Sequence, residues 1–474
     1  MANFLYQSLV DWFQKQLAEG ALSAGDRMPS LRKVAKEQGI SLNTAIHGYE
    51  LLSQEGWIEA RPKSGYFICH RSKLRPAMQL ASDLCRELEP QASLDMNLRL
   101  RYQNAVLTQY SPLMGTELLS HANQTTPMYG KGQLAVRQAL SQYLKAVGIQ
   151  AQAESLWLSR SALGLLTQVI LSLTAVGSKV VLITPCDLRL SQTLLDLGRV
   201  PVCLAAGEHG VDLDVAEDYL KKTQVSLVIL PGQFAFPTGQ AISNLTLRRW
   251  LALLDEVEVP AVEWDMCSQL SYHGSHPMAY KSLDSQNRII YIGAFEGIYR
   301  TGGQLAWCLA NAHKPILDKA FFSADFCPDE EPQQALLWLF EQGAGGAYSR
   351  LSRALWAKSE KIKAHLESVL ADQMCAVQAK GGACLWLQIT QPLTEEFWSA
   401  YQMSHYQSLL PGQYVSHEPE ANEWLVLNLS GEDLQATVDW LVAQLSQTTE
   451  AATDTAAVAP TSPTKQASTV SEPL

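Results

Sequence analysis

Four polar side chains able to bond bases or phosphates, Ser41, Asn43, Thr44 and His47, crowd into the stretch SLNTAIH. Leu42, Ala45, Ile46, Tyr49 and Leu52 recur around them at helical spacing, and Gly56 closes the run. The spacing predicts a helix with an apolar stripe on one side and this polar set opposite. Short polar side chains on the first turns of an exposed helix suit the major groove of a duplex. Asn can make paired bonds to adenine, and Ser or Thr can serve bases or phosphates. The amides of a helix N-terminus can also take a phosphate. For the Ser41 hydroxyl taken alone the N-cap is the better reading, and Thr44 also reads as partly buried. Leu42 cannot bond a base edge. Upstream, Arg32 stands in LRKVAKEQ, a second helical segment bounded by Ser30 and Gly39. Downstream, Lys63 and Gly65 lie in the turn Arg61-Pro62-Lys63-Ser64-Gly65, where a cation and bare backbone can approach a phosphate chain.

These residues need elements to hold them. Phe4, Leu5, Leu9, Phe13 and Leu17 predict a first helix over 4–19, ended by Gly20. Trp57–Ala60 and Tyr66–Cys69 predict two short strands joined by the turn. Three helices and a hairpin make a winged helix-turn-helix. The stretch 25–68, GDRMPSLRKVAKEQGISLNTAIHGYELLSQEGWIEARPKSGYFI, resembles the GntR-type winged helix densely and without gaps. That resemblance implies double-stranded DNA as partner, with Arg32, Ser41, Asn43, Thr44, His47, Lys63 and Gly65 as candidate contacts. Many GntR-type helices carry Arg where Leu42 stands, so the operator sequence does not carry over.

Charge is split along the chain. Residues 1–75 hold 10 Lys+Arg and 7 Asp+Glu, a net of +3, while the whole chain is at −11, leaving −14 for the rest. A basic head on an acidic body fits a polyanion-binding module. The nine cysteines are scattered without a C-x-x-C pair, which argues against a zinc cluster and for a reducing compartment. No apolar run reaches the ~20 residues of a membrane span, and no signal core is evident, so a cytoplasmic protein without membrane contact is expected.

Beyond residue 100, short β-rich runs recur at Val180–Ile183, Val200–Leu204, Leu227–Leu230, Ala261–Glu263, Ile289–Ile292 and Leu305–Leu309, with helical patterns such as Leu245–Leu254 between them. This alternation predicts a mostly parallel sheet covered by helices. The segments YGKGQLAVRQALSQYL, LPGQFAFPTGQAISNLTLRRWLALL and IIYIGAFEGIYRTGGQLAW resemble fold-type I aminotransferases, and the last resembles MocR-type regulators in particular. In that family a lysine follows the Phe-Ser pair and forms a Schiff base with pyridoxal phosphate (PLP). Here the residue after Phe295-Glu296 is Gly297, which has no amine, and no lysine lies between Lys281 and Lys314. Lys281 itself reads as a solvated surface residue.

The other positions of the resemblance follow suit. Phe236 stands where the family has the phenolate-bonding Asn, Trp264 where it has the Asp for the pyridine nitrogen, and Met266 or Cys267 where a phenol follows. Gln304 stands at the phosphate-holding Arg, Asp187 at the ring-stacking aromatic, and Val426 at the substrate-carboxylate Arg. A one-residue shift would offer Asp265 for Trp264, but strand alternation would then aim it at the other face. No cofactor is expected: covalent PLP is argued against, and non-covalent PLP stays open. The pocket has either collapsed or accepts another ligand.

The expectation is therefore a multi-domain protein: a winged helix over 1–72, a connector over 73–100, and an α/β fold-type I aminotransferase-like body over 101–446. That body has a parallel-dominated sheet and a small α+β C-terminal lobe from about 330. A disordered tail rich in Thr, Ala, Ser and Pro follows over 447–474. The resemblance implies a homodimeric transcriptional regulator on two DNA half-sites, with a body that serves dimerisation, senses an unknown small-molecule effector as a second role, and is not an enzyme. A PLP-responsive regulator, a residual aminotransferase and a protein-interaction scaffold are the alternatives.

Overall fold

The computed structural model describes residues 9, 12–13, 16, 22, 26–54, 58–61 and 65–68 of the N-terminal part. Of the remainder it describes 130–207, 210–274, 276–296, 304–324, 327–328, 330–341, 343–370, 373–390, 393, 397–398, 400–401, 408–416, 423–431 and 433–457. The expected connector, the start of the body, Lys63 and Gly297 lie outside these residues. The chain falls into two compact units, 1–76 and 77–474.

In the first unit, α1 (Leu31–Gln38) is capped by Ser30, whose Oγ accepts from Lys33 N at 3.3 Å, and it ends at Gly39 in the left-handed region, φ 65°. The next helix, α2 (Leu42–Gln54), begins where Ser41 Oγ accepts from Thr44 N at 3.1 Å. The hairpin is β1 (Ile58–Arg61) against β2 (Gly65–Ile68), antiparallel. The backbone ahead of α1 also pairs with the hairpin: Met28 N donates to Tyr66 O and Ile68 N to Asp26 O, each at 2.8 Å. Leu9, Phe13, Met28, Val34, Tyr49, Leu52, Ile58 and Ile68 form the core. Gly48 lets α2 approach the first helical segment, since a Cβ there would lie 2.3 Å from Leu9 Cδ2.

The second unit is built on an eight-stranded sheet of order β3-β10-β9-β8-β7-β4-β5-β6. Its members are β3 (Leu156–Ser159), β4 (Lys179–Thr184), β5 (Val200–Gly207), β6 (Gly210–Val211), β7 (Leu227–Pro231), β8 (Ala261–Asp265), β9 (Ile289–Glu296) and β10 (Gln304–Leu309). From β9 through β5 the pairings are parallel, while β10 and β6 run antiparallel to their neighbours. Val180, Leu182, Leu227, Ile229, Val262, Ile290 and Ile292 pack on one face with α3 (Ala162–Leu173). Val181, Ile183, Val228, Leu230, Ala261 and Ile289 pack on the other with α4 (Asn244–Val257). Both faces are buried, which is why these strands read as continuous apolar runs rather than alternating ones. The small lobe holds an antiparallel sheet of order β11-β12-β14-β13, from Met374–Ala376, Cys384–Ile389, Trp424–Asn428 and Leu409–Pro411 respectively.

Two expectations are corrected. The closing helix runs from Leu434 to Ala457, into the segment expected to lack structure, because Val438, Leu441 and Leu445 bury its first turns. Lys281 is not solvated: its side chain is 2% exposed. Its Nζ donates to Asp284 Oδ2 at 2.8 Å and to the Ile289 carbonyl at 2.7 Å, so the buried amine is paired. Among the described residues no helix is long and apolar enough to cross a membrane.

Beside Lys281 lies a second buried ionisable group. Glu263 on β8 accepts from Tyr280 N at 3.0 Å and Lys281 N at 2.8 Å, which ties the short helix Tyr280–Leu283 to the sheet. Burial, and then the neighbouring charge of Asp265, pushes its carboxyl up to about 8 against these two donations. The folded state holds this proton after the unfolded chain has released it, so Glu263 lowers stability progressively from about pH 4.5 to about pH 8. Urea midpoints of the full chain at pH 5, 7 and 8.5 are expected to fall for the wild type and to fall less for Glu263→Gln. Parallel curves for the two proteins would show that the group titrates normally.

Candidate nucleic-acid interface

The recognition helix α2 turns its buried side inward through Ala45, Tyr49 and Leu52, each fully buried. Tyr49 Oη donates to the Pro29 carbonyl at 2.7 Å, and its ring meets Tyr66 edge-on at 5.2 Å. The helix is thereby joined to both the entry of α1 and the hairpin. On the outer side, Ser41, Asn43 and His47 are exposed and Thr44 is half-buried. The Ser41 and Thr44 hydroxyls lie 2.7 Å apart and Ser41 caps the helix, so both are engaged locally. The Asn43 amide has no hydrogen-bond partner among the described residues. Leu42, expected in the apolar stripe, is 42% exposed, because the helix start projects beyond the core that Ala45 and Tyr49 enter.

Arg32 is exposed on α1 and unpaired among the described residues. Gly65 is exposed, with φ 102°, a conformation that favours glycine at the turn. A Cβ there would stand 3.4 Å from Arg27 Nε and Nη2. Arg27 thus lies at the base of the wing, exposed and without an ion pair among the described residues. Sequence reasoning missed it, because only the pairing of residues 26–28 with β2 brings it beside Gly65. Lys36 adds a further exposed cation, while Lys33 sits 3.8 Å from Glu37. Arg27 and Arg32 therefore offer exposed cations, Gly65 offers bare backbone, and Asn43 offers an exposed amide of the kind that can pair with a base edge.

In the second unit, ligands of a parallel sheet gather beyond the carboxyl ends of the strands. Here those ends are Thr184, Pro231, Asp265 and Glu296. Asp187 caps the following helix, Leu188–Asp196, accepting from Arg189 N at 2.9 Å and from Arg189 Nε at 2.8 Å. Phe236 packs with Val377, Leu410 and Trp424 against Cys384, Trp386, Val415 and Val426, so two of the substituted positions share one apolar cluster. Trp386 and Trp424 stack in it, 4.8 Å apart at 11°. Trp264 and Met266 pack on the α3 face of the sheet. Asp265 lies on the opposite face, where Oδ2 accepts from Tyr291 Oη at 2.7 Å and Oδ1 from Ser268 N at 3.0 Å. Gln304 opens β10 opposite Glu296. Trp264, Phe236 and Val426 each present an aromatic or aliphatic side chain to these apolar clusters.

Comparison with known proteins accords with both units. Residues 5–68 match the bacterial regulatory proteins of the gntR family. The HTH-type transcriptional regulator YdcR of Escherichia coli strain K12 is 24% identical over 435 residues, 87% of this chain and 92% of that protein. A probable rhizopine catabolism regulatory protein, MocR of Rhizobium meliloti, is 23% identical over 452 residues, 89% of this chain and 87% of its own. The crystal structure of LysN, an α-aminoadipate aminotransferase of Thermus thermophilus, superposes with a TM-score of 0.60 at 19% identity, covering 80% of this chain and 89% of that one. The fold and the head define a DNA-binding transcriptional regulator with a fold-type I aminotransferase-like body. Within that class the head matches the gntR family, and the chain as a whole is similar to regulators of the MocR type.

Arg27→Ala and Arg32→Ala are each expected to weaken duplex binding similarly across sequences, and to reduce the slope of log affinity against log salt by about 1. Titrations of labelled duplex at several salt concentrations check this. An unchanged slope would remove the residue from the phosphate contacts.

Proposed function

We propose that this regulator binds DNA as a homodimer on two half-sites, and that its body has lost transaminase chemistry and serves dimerisation and effector sensing. In this reading Arg32, Ser41, Asn43, Thr44, His47, Lys63 and Gly65 form the DNA-facing set, the head spans 1–72, and a connector over 73–100 joins it to the body. Ser41 acts chiefly by fixing the helix start. Arg27 joins the set from its place beside Gly65.

One observation carries the loss of chemistry. Phe236 and Val426, at the phenolate and substrate-carboxylate positions, lie together in an apolar cluster with Trp386 and Trp424. An apolar cluster offers neither a donor for a phenolate nor a cation for a carboxylate, so binding either group there would strand it without a partner. Trp264 adds no acid for a ring nitrogen, and Gly297 adds no amine. The residues do not fit PLP. The effector is then a different small molecule, and it acts by favouring one placement of the two heads over another.

Mixing the purified chain with PLP is expected to give no site-specific absorption band, no borohydride-reducible adduct at a single lysine by mass spectrometry, and no rise in melting temperature. A reducible adduct at one lysine would restore PLP as the effector. In parallel, the full chain is expected to bind duplex from its own promoter region at low salt, weakening steeply as salt rises. Absence of binding by both the full chain and residues 1–75 would end the regulatory reading.

A further inference from the structure

Leu42 is an exposed leucine on the surface that the foregoing reading gives to DNA, and the inference drawn from it rests on that reading. It is 42% exposed and occupies the first position of α2, between the cap Ser41 and the exposed Asn43. The Ser41 and Thr44 hydroxyls are bonded to each other, and Ser41 also holds the Thr44 amide. The other exposed side chains on the first two turns are Leu42, Asn43 and His47. Of these, Asn43 alone offers both a donor and an acceptor without a partner among the described residues.

A leucine at the floor of a major groove can make no hydrogen bond, and beside the polar edge of guanine, cytosine or adenine it would strand base atoms away from water. The one apolar group the groove presents is the C5-methyl of thymine. Asn43 matches the paired N6 donor and N7 acceptor of adenine. Neighbouring residues on a helix reach neighbouring base pairs. We infer that Leu42 and Asn43 together read two adjacent A·T pairs in each half-site, Leu42 packing on a thymine methyl and Asn43 bonding an adenine edge.

The test uses the full chain. A pool of random duplexes is selected for binding at moderate salt, and each thymine of the preferred site is then replaced by deoxyuridine, which removes only the methyl. One thymine per half-site, next to an A·T pair, is expected to lose about fourfold in affinity on this change, the worth of one buried methyl. Leu42→Ala is expected to abolish that loss at the same position. Leu42 is outside the head core, so its truncation leaves the fold intact. Asn43→Ala is expected to relax preference at the neighbouring pair by about tenfold. A preferred site with no methyl-sensitive thymine, or one whose sensitivity survives Leu42→Ala, overturns the inference while leaving DNA binding standing. A pool that yields no preferred sequence overturns both.

Discussion

The head depends on Tyr49. A recognition helix can present polar side chains outward only if its inner side is held in one rotation. One hydrogen bond to the Pro29 carbonyl and one edge-on ring contact with Tyr66 set that rotation. A buried hydroxyl without its acceptor would cost about 1–3 kcal/mol, so the register of α2 is tied to the loop that begins α1. The same loop pairs through Met28 and Ile68 with the wing. Arg27 consequently stands beside Gly65, although the two are far apart in sequence. Wing, the loop ahead of α1 and recognition helix are thus joined at a single tyrosine.

In the body the corresponding constraint is the pleat. Residues along β8 alternate between faces: Val262 and Trp264 toward α3, Ala261 and Glu263 toward α4. A carboxylate one position along from Trp264 therefore cannot stand in for an acid at Trp264. Asp265 is instead consumed by Tyr291 and Ser268 on the far side, and Gly232 is its close neighbour: a Cβ there would fall 2.7 Å from Asp265 Cα. The strand end thus has an acid in sequence but none on the α3 face.

Much of this was legible in the sequence. The run LRKVAKEQ appears as α1 with the expected caps, since Ser30 and Gly39 are strong local signals. The six β-rich runs of the body all lie in strands of the large sheet, because burial on both faces leaves an unbroken apolar signature. What failed was whatever depended on neighbours distant in sequence. Leu42 fits the apolar period but not the core, because the core ends before the helix does. Lys281 reads as surface until Asp284 and the Ile289 carbonyl are placed around it. The closing helix outruns its apolar content because its N-terminal turns are anchored on the small lobe. Arg27 has no local mark at all.

Lys281 also bears on whether a Schiff-base amine could come from a position other than 297. It is the last lysine before the substituted position. A Schiff-base lysine needs a free amine that reaches the strand ends. The Lys281 amine already donates to a carboxylate and a carbonyl, and withdrawing it would leave the buried Asp284 carboxylate without its cation. Asp284 is further committed to the Arg288 and Ile289 amides, so it cannot follow the amine if it moves. The helix that carries Lys281 packs through Tyr280 on the α4 face, while Trp264 lies on the α3 face. To serve the strand ends this lysine would have to cross the sheet and break its ion pair. The role it holds is to fix the short helix Tyr280–Leu283 against β9.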